Sequence, residues 1–209
     1  VLTTSEDDDK IAWHENLGLG TFGPQHVIAG NVDRPWAAAT ADFDDDGDPD
    51  VVVAAFGGRK VVWFEHWGQG AVFCRPAATN GAGLMGQLSA RGSTFAADNA
   101  LTLEARHITP SNFAIFLTGP NQGVPVRPPN SIGNLCLGAP IGRYVAPGQI
   151  QPTGPAGTAV LPIDLMQTPT PTGFVRIMPG ETWRFQCWFR DSNPGSTSNF
   201  TDGVAVTFQ

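Results

Sequence analysis

Aspartates recur at every second position in a short segment that ends at a run of apolar residues. They are Asp42, Asp44, Asp46, Asp48 and Asp50, with Gly47 among them. Carboxylates at the first, third, fifth and ninth positions, with a glycine at the sixth, provide the oxygen ligands that a calcium ion prefers. So many acids in nine residues repel one another unless a cation neutralises them. The segment therefore predicts a calcium site, and the alternative is a solvated acidic turn.

An EF-hand begins in a similar way, so the two kinds of calcium loop have to be distinguished. An EF-hand requires a bidentate Glu at loop position 12, where this chain has Val53, and helices on both sides. The apolar run 51–56 is typical of a buried strand, and Pro49 disfavours a helix at this point. The acidic loop is therefore predicted to lead into a β-strand.

Residues 1–20 and 51–70 align at a constant offset of 50. The identical pairs are Val1 and Val51, Lys10 and Lys60, Trp13 and Trp63, Glu15 and Glu65, Gly18 and Gly68, and Gly20 and Gly70. A period near 50 in strand-type segments is typical of propeller blades and related β-repeats. The alternative is a chance similarity between two short hairpins.

The stretch from Lys10 to about Gly70 resembles the FG-GAP or VCBS repeat family. The features that carry the resemblance are the D-x-D-x-D-G-x-x-D loop, the apolar strand after it, the segments KIAWHEN and KVVWFEH, and the motif GTFG at 20–23. In that family the loop binds calcium, and the repeats build β-propellers on extracellular proteins that serve in adhesion or as binding platforms. The resemblance implies calcium ligands from the side chains of Asp42, Asp44, Asp46 and Asp50 and from the backbone carbonyl of Asp48.

The number of repeats differs from what a closed propeller needs. Propellers close with several blades, whereas this chain holds one complete period and part of another. Val1 aligns with Val51, directly after the acidic loop, so we expect the chain to be a fragment of a longer protein. An open stack of repeats leaves strand edges unpaired. We therefore expect a homo-oligomer or filament assembled through these edges.

Composition and charge indicate an extracellular β-protein. The chain contains 25 Gly and 18 Pro but only 12 Lys and Arg, which favours turns over long helices. The net charge is −7, and residues 1–70 contain 13 acids and 4 bases. Nucleic-acid binding is disfavoured because it requires clustered Lys and Arg. No stretch approaches the roughly 20 apolar residues of a membrane span.

The strand pattern changes character near residues 71–86, which predicts a calcium-binding repeat region over 1–72 and a second domain over 73–209. Short strands are predicted at 88–95, 101–105, 113–117, 142–145, 159–165, 182–190 and 203–208. In the segment 182–190 the side chains that share the apolar face are Trp183, Phe185, Cys187 and Phe189. The predicted fold is all-β: a partial propeller-type repeat joined to a β-sandwich or jelly-roll-like domain.

The second domain also resembles a known type. The segments NLCLG (134–138), IGRY (141–144), PGETWRFQCWFRD (179–191) and NFTD (199–202) are similar to a domain at the C-terminus of large secreted proteins from planctomycete- or myxobacterium-type bacteria. This domain often follows VCBS or similar repeats. The resemblance implies location and architecture, and it implies no activity.

Three cysteines lie far apart in the sequence, at 74, 136 and 187, without the spacing of a zinc site. In an oxidising compartment the simplest interpretation is one disulfide and one buried thiol. We favour a Cys74–Cys136 bond because Cys187 lies on the apolar face of a predicted strand. Three buried thiols are the alternative.

Catalytic motifs are not apparent in the sequence. The four histidines His14, His26, His66 and His107 lie in no nucleophile, metalloprotease or phosphate-binding motif, so an enzyme is not predicted. Trp13, Trp63 and Trp183 are predicted to lie in the core, whereas Trp67 and Trp188 are predicted at a surface or an interface. An exposed tryptophan can also stack on a sugar ring, which would make a glycan a partner.

Two segments could carry glycans. Asn199-Phe-Thr201 matches the N-glycosylation sequon, and Thr168, Thr170 and Thr172 alternate with prolines as in O-glycosylated stalks. The Thr/Pro run is alternatively a stiff connector of polyproline type.

The sequence as a whole predicts a secreted, non-enzymatic structural or adhesive protein. Calcium would stabilise its repeat region, and open strand edges would let it self-associate. The alternative is a cell-surface platform, forming the tail of a larger propeller protein, that binds a glycan or a protein.

Overall fold

A computed structural model describes residues 1–41, 43, 50–64, 69–192 and 195–209, with the backbone alone at Glu15. Strands account for 56% of the chain, and the described part contains no α-helix and no closed sheet. The all-β prediction is therefore confirmed. The chain divides into two compact units, residues 1–67 and 68–209.

The first unit consists of two three-stranded antiparallel sheets in the part of it that is described. One sheet has the order β1–β2–β3, with β1 at Leu2–Ser5, β2 at Lys10–Gly18 and β3 at Thr21–Ala29. The other has the order β4–β5–β6, with β4 at Pro35–Ala41, β5 at Asp50–Ala55 and β6 at Lys60–Phe64.

The internal repeat is visible in the strand register. Ser5 pairs with Lys10 across β1 and β2, and Ala55 pairs with Lys60 across β5 and β6, again at an offset of 50. The same offset relates the last residue of each connecting turn, because Asp9 and Arg59 both have positive φ, 57° and 48°. Two hairpins that agree in register and in turn conformation are two copies of one structural unit.

A small apolar core holds the first unit together. Ile11, Val32, Val51, Val53 and Ala55 are buried, and they pack against partly buried side chains that include Leu2, Val62 and Phe64. The prediction that Trp13 and Trp63 lie in the core is wrong, because they are 45% and 49% exposed. Trp63 points to the opposite face of β6 from Val62 and Phe64, which pack on the core, because strand side chains alternate between faces. Trp13 shares the face of the buried Ile11 and stacks on the ring of His26.

In its described residues, the second unit contains thirteen strands and one short 3-10 helix. The strands of its larger sheet are β7 (Ala71–Phe73), β10 (Phe113–Gly119), β13 (Gly142–Arg143), β14 (Gln151–Pro152), β18 (Thr182–Asp191) and β19 (Thr197–Thr207). Those of its three-stranded sheet are β8 (Gln87–Gly92), β9 (Leu101–Arg106) and β15 (Ala159–Ile163). Two hairpins complete it, β11 (Asn121–Val126) with β12 (Leu135–Gly138) and β16 (Thr168–Thr170) with β17 (Gly173–Val175), and the 3-10 helix spans Ala96–Asp98.

Two sheets face each other across the main core of this unit. The larger has the order β13–β10–β18–β19–β7, with β14 added beside β10, and the smaller has the order β15–β9–β8. One continuous cluster of buried residues draws Leu88, Leu103 and Leu161 from the smaller sheet and Phe116 and Phe185 from the larger. Two sheets that share one core in this way form the predicted sandwich.

The alternation predicted for residues 182–190 is confirmed. The buried face of β18 consists of Trp183, Phe185, Cys187 and Phe189, all in the main core. The opposite face of the larger sheet is covered in part by the β11–β12 hairpin, whose Leu137 packs with Leu117 and Phe200. Trp188 lies at the margin of this second cluster and is partly buried.

The cysteines are arranged as predicted. Cys74 and Cys136 form a disulfide with their Cα atoms 6.0 Å apart, and Cys187 is a free, buried thiol. Burial raises the pKa of the Cys187 thiol, so the reactive thiolate is suppressed.

The Thr/Pro run and the start of the second unit differ from the sequence-based interpretation. Thr168–Thr170 form a hairpin strand with Gly173–Val175 instead of a polyproline-type connector, and Thr168 is fully buried. By the offset of 50, residues 71–79 correspond to β3, yet β7 pairs with β19 of the second unit. A strand of the repeat pattern has thus been recruited into the second unit's sheet.

Within the described residues, none of the helices has the length and apolar character that crossing a membrane would need.

Candidate functional site

The acidic loop is the connection of a β-hairpin. Strands β4 and β5 are antiparallel, and their last ladder pair joins Ala41 to Asp50. The two residues that flank the acidic segment, Ala41 and Asp50, are therefore neighbours in one sheet. A cation site would require the carboxylates of this segment to converge.

Asp50 is the predicted ligand whose position the structure describes. It is fully buried, and its Oδ2 atom accepts a hydrogen bond from the backbone N–H of Phe43 at 3.1 Å. This bond ties the end of the loop to its beginning, in the manner of a side chain that closes a turn. A buried carboxylate is unfavourable unless polar groups or a cation compensate its charge, and the N–H of Phe43 is one such group.

The remaining predicted ligands, Asp42, Asp44, Asp46 and Asp48, lie outside the described residues. The described part of the chain contains no group of three His, Cys, Asp or Glu side chains that could hold a metal ion. The calcium assignment therefore stays a prediction.

The strand after the loop explains why Asp50 is held in place. Val51 and Val53 are buried in the core of the first unit, and β-branched residues favour strand geometry. Strand β5 also pairs on both sides, with β4 and β6. Asp50 is the first residue of this central strand, so its backbone is fixed by the sheet.

A second polar arrangement links the two repeats. Arg34 donates two hydrogen bonds to Glu6 Oε1, one from Nε at 2.9 Å, and its backbone N–H donates to Asp9 Oδ1 at 2.9 Å. Its carbonyl accepts from the N–H of Phe56 at 3.0 Å. Arg34 therefore joins the turn 6–9 to the turn 56–59, and the pairing with Glu6 raises the pKa of the guanidinium.

This role of Arg34 is absent from the sequence-based prediction. The signal was weak, because Arg34 belongs to no motif and its partners lie 25 to 28 residues away in the sequence. The scarcity of Lys and Arg in the first 70 residues was the feature that could have drawn attention to it.

The histidines with described positions form no catalytic arrangement. The ring of His26 stacks on Trp13 with centroids 4.3 Å apart, and Nδ1 of His14 lies 3.3 Å from the carbonyl of Gly23. His107 contributes its backbone carbonyl to Asn80 Nδ2, and His66 lies outside the described residues. These contacts are those of structural residues.

Comparison with protein families gives a match in the first unit. Residues 1–53 match the family model of the FG-GAP-like repeat. The match covers about a quarter of the 209 residues and includes the acidic loop and the start of β5. Repeats of this kind are typically structural or binding modules of extracellular proteins.

No curated protein matches the chain significantly, and no solved structure does so either. The resemblance of residues 73–209 to C-terminal domains of secreted bacterial proteins therefore stays an expectation.

Proposed function

We propose that this chain is a secreted, non-enzymatic structural or adhesive protein in which calcium stabilises the FG-GAP-like repeat. The ligands would be Asp42, Asp44, Asp46 and Asp50 through their side chains and Asp48 through its backbone carbonyl. The family match supports an extracellular β-repeat. Calcium binding, secretion and self-association are the parts that we add.

The observation that carries the calcium proposal is the position of Asp50. Its carboxylate is fully buried at the end of the acidic loop, and it binds the backbone at the start of the same loop. Oxygen ligands from a loop with closed ends suit the flexible coordination of calcium. A bound ion would also remove the repulsion among the neighbouring aspartates.

Calcium binding at this loop would act on folding. An ion that binds the folded loop and not the unfolded chain stabilises the protein by mass action. The stabilised elements are β4 and β5, because the loop joins them and Asp50 belongs to their ladder. The first unit would thus depend on calcium for part of its stability.

Self-association is supported by strand edges that the repeat pattern leaves open. Strand β5 is flanked by β4 and β6, whereas its repeat equivalent β1 pairs only with β2 in the described residues. Likewise β2 is flanked by β1 and β3, whereas its equivalent β6 pairs only with β5 in the described residues. Exposed edges pair readily with strands of other chains, so copies of the protein would associate through β1 and β6.

Thermal unfolding with and without calcium tests the metal site. We expect calcium to raise the melting temperature of the first unit, and we expect Asp44→Asn/Asp46→Asn to remove this increase. The matched control is Asp7→Asn/Asp8→Asn, which removes the same charge from an exposed acidic turn of the same unit. The site would be refuted if calcium left the melting temperature of the wild type unchanged. It would also be refuted if calcium raised the melting temperature equally in both double variants.

Sedimentation velocity tests the assembly. A calcium-dependent increase in size supports the structural function, because calcium would order the strands whose edges associate. A monodisperse monomer in calcium would contradict self-association and favour the binding platform.

A further inference from the structure

Positive charge in the first unit is concentrated at one groove. Residues 1–70 contain four Lys and Arg residues, and Arg34, Arg59 and Lys60 line the same open groove of about 600 Å³. Arg59 and Lys60 are consecutive in the sequence, and the fold places Arg34 beside them. The groove therefore gathers three bases of an otherwise anionic unit, with the carboxylates of Glu6 and Asp33 on the side of Arg34 and Gly57.

Two exposed aromatic side chains line the same groove. Trp36 is 69% exposed and Phe56 is 64% exposed, and their ring centroids are 6.4 Å apart. The register of β4 against β5 shifts between Pro35 and Ala37, so Trp36 is the extra residue of a β-bulge. Bulges redirect a side chain and recur beside functional sites.

The turn that forms one side of the groove differs in chemistry from its repeat equivalent. Phe56-Gly-Gly-Arg59 stands where the first repeat has Glu6-Asp-Asp-Asp9. The last residue of both turns has positive φ, a conformation in which Asp is common and a long side chain is not. The turn itself would thus favour an aspartate at position 59, and it does not explain the arginine.

The three cations have different roles in the groove. Arg34 is engaged with Glu6, and its guanidinium carbon lies 5.4 Å from the centroid of the Phe56 ring. Arg59 and Lys60 are exposed and form no ion pair with a described residue. Arg34 therefore holds the Phe56 ring in place, while Arg59 and Lys60 are available to an external anion.

We propose that this groove binds an acidic polysaccharide. The ring of a sugar residue stacks on Trp36 or Phe56, and its carboxylate or sulfate accepts hydrogen bonds from Arg59 and Lys60. An acidic polysaccharide fits the groove because each of its repeating units carries both a ring that can stack and an anionic group that Arg59 and Lys60 can bind. This inference supplies a ligand class for the adhesive function proposed above, and it depends on that function only for the extracellular setting.

Calorimetric titration with polysaccharide fragments of matched length tests the proposal. The probes are oligogalacturonate for a carboxylate ligand, sulfated dextran for a sulfate ligand, and dextran as the neutral reference. We expect binding to at least one acidic probe, weakening with added salt, and none to dextran. Arg59→Gln/Lys60→Gln is expected to weaken binding by about tenfold or more, and Trp36→Ala by several-fold.

Matched control variants distinguish binding at the groove from binding that depends only on overall charge or on exposed apolar surface. Lys10→Gln changes the residue that is equivalent to Lys60 in the other repeat, and Trp63→Ala removes a tryptophan that is exposed but lies outside the groove. Circular dichroism verifies that each variant is folded. The proposal is overturned if no acidic probe binds, if dextran binds equally, or if these controls weaken binding as much as the groove variants.

Two further outcomes distinguish this proposal from the others. If no acidic probe binds the wild-type protein and Arg59→Gln/Lys60→Gln abolishes self-association in sedimentation, the groove holds a second copy and the polysaccharide proposal is wrong. The calcium proposal is judged by the melting temperature of the loop variants. Either proposal can therefore fail while the other stands.

Discussion

Gln186 Oε1 accepts a hydrogen bond from the backbone N–H of Cys136 at 2.9 Å. Its Nε2 atom donates to the carbonyls of Asn134 and Thr201, each at 2.9 Å, and lies 3.8 Å from Cys74 Sγ. Gln186 is fully buried in β18, on the face opposite the main core. One side-chain amide thus attaches the disulfide-bonded segment to the centre of the larger sheet.

The first prediction concerns this amide. Gln186→Ala would leave one backbone N–H and two carbonyls without that partner in a buried site, and unsatisfied buried groups are costly. We expect a loss of about 3 kcal/mol in the free energy of unfolding of the second unit, scaled from the cost per buried group. Chemical denaturation measures it, with Gln122→Ala on an exposed strand as the control. Equal stability of the two variants would show that Gln186 is not an anchor.

The second prediction concerns the disulfide. Cys74 and Cys136 are separated by 62 residues, and closing a loop of this length in the unfolded chain stabilises the fold by about 4 kcal/mol. Cys74→Ala/Cys136→Ala should lower the free energy of unfolding by an amount of that order. Thiol labelling provides the check: the native wild-type protein should react at no cysteine, and the denatured protein at Cys187 alone. Labelling of Cys187 in the native state would contradict its burial.

The third prediction concerns the pH dependence of stability. Burial raises the pKa of Asp202 above 3.8, while hydrogen bonds from Arg75 and the N–H of Leu88 partly oppose this shift. An acid with a raised pKa in the folded state stabilises the fold below its unfolded pKa, and this contribution is lost as pH rises through the folded pKa. The stability of the wild type relative to Asp202→Asn should therefore decrease from pH 3 to pH 7.

Asp8→Asn supplies the contrast for that measurement. Hydrogen bonds from Lys10 and Ser5 lower the pKa of Asp8. The ionised Asp8 carboxylate therefore stabilises the fold above its unfolded pKa, and this stabilisation is lost as pH falls. The stability of the first unit relative to this variant should increase between the same two pH values. Parallel slopes for the two comparisons would refute the assigned causes.

The fourth prediction concerns glycosylation at Asn199. The side chain is fully buried, donates to the carbonyl of Ala78 at 3.1 Å, and accepts from the N–H of Phe200 at 2.8 Å. A glycan on this nitrogen is incompatible with the fold. Mass spectrometry of folded protein secreted from a glycosylating host should find Asn199 unmodified. The control is Asp33→Thr, which creates a sequon at the exposed Asn31, and this variant should carry a glycan there. A folded protein with a glycan at Asn199 would contradict the structure.

Local patterns predicted those features that depend on neighbouring residues. The alternation in β18 identified the core face because side chains of a strand point alternately to its two sides. The offset of 50 identified the repeat because each copy forms its own hairpin, with the same register and turn. Burial of Cys187 followed from the same alternation, which left Cys74 and Cys136 as the disulfide pair.

Features that depend on distant partners were not predicted. Alternation placed Gln186 on the outward face, yet the β11–β12 hairpin and the disulfide cover it. Trp13 and Trp63 were predicted in the core, whereas both are about half exposed because the small core of the first unit does not cover them. In each case burial is decided by whether elements from elsewhere in the chain cover the side chain.

The sequence by itself determined the all-β class, the two-copy repeat and the acidic loop as a candidate metal site, because each depends on the types and spacing of nearby residues. Only the tertiary structure decided that β7 joins β19, that Asp50 is buried against the backbone of Phe43, and that Arg34, Arg59 and Lys60 share one groove. Spacing along the chain fixes which way a side chain points within its own strand. Which surface it then meets is fixed by how separate strands pair and pack, and this information is distributed over the whole chain.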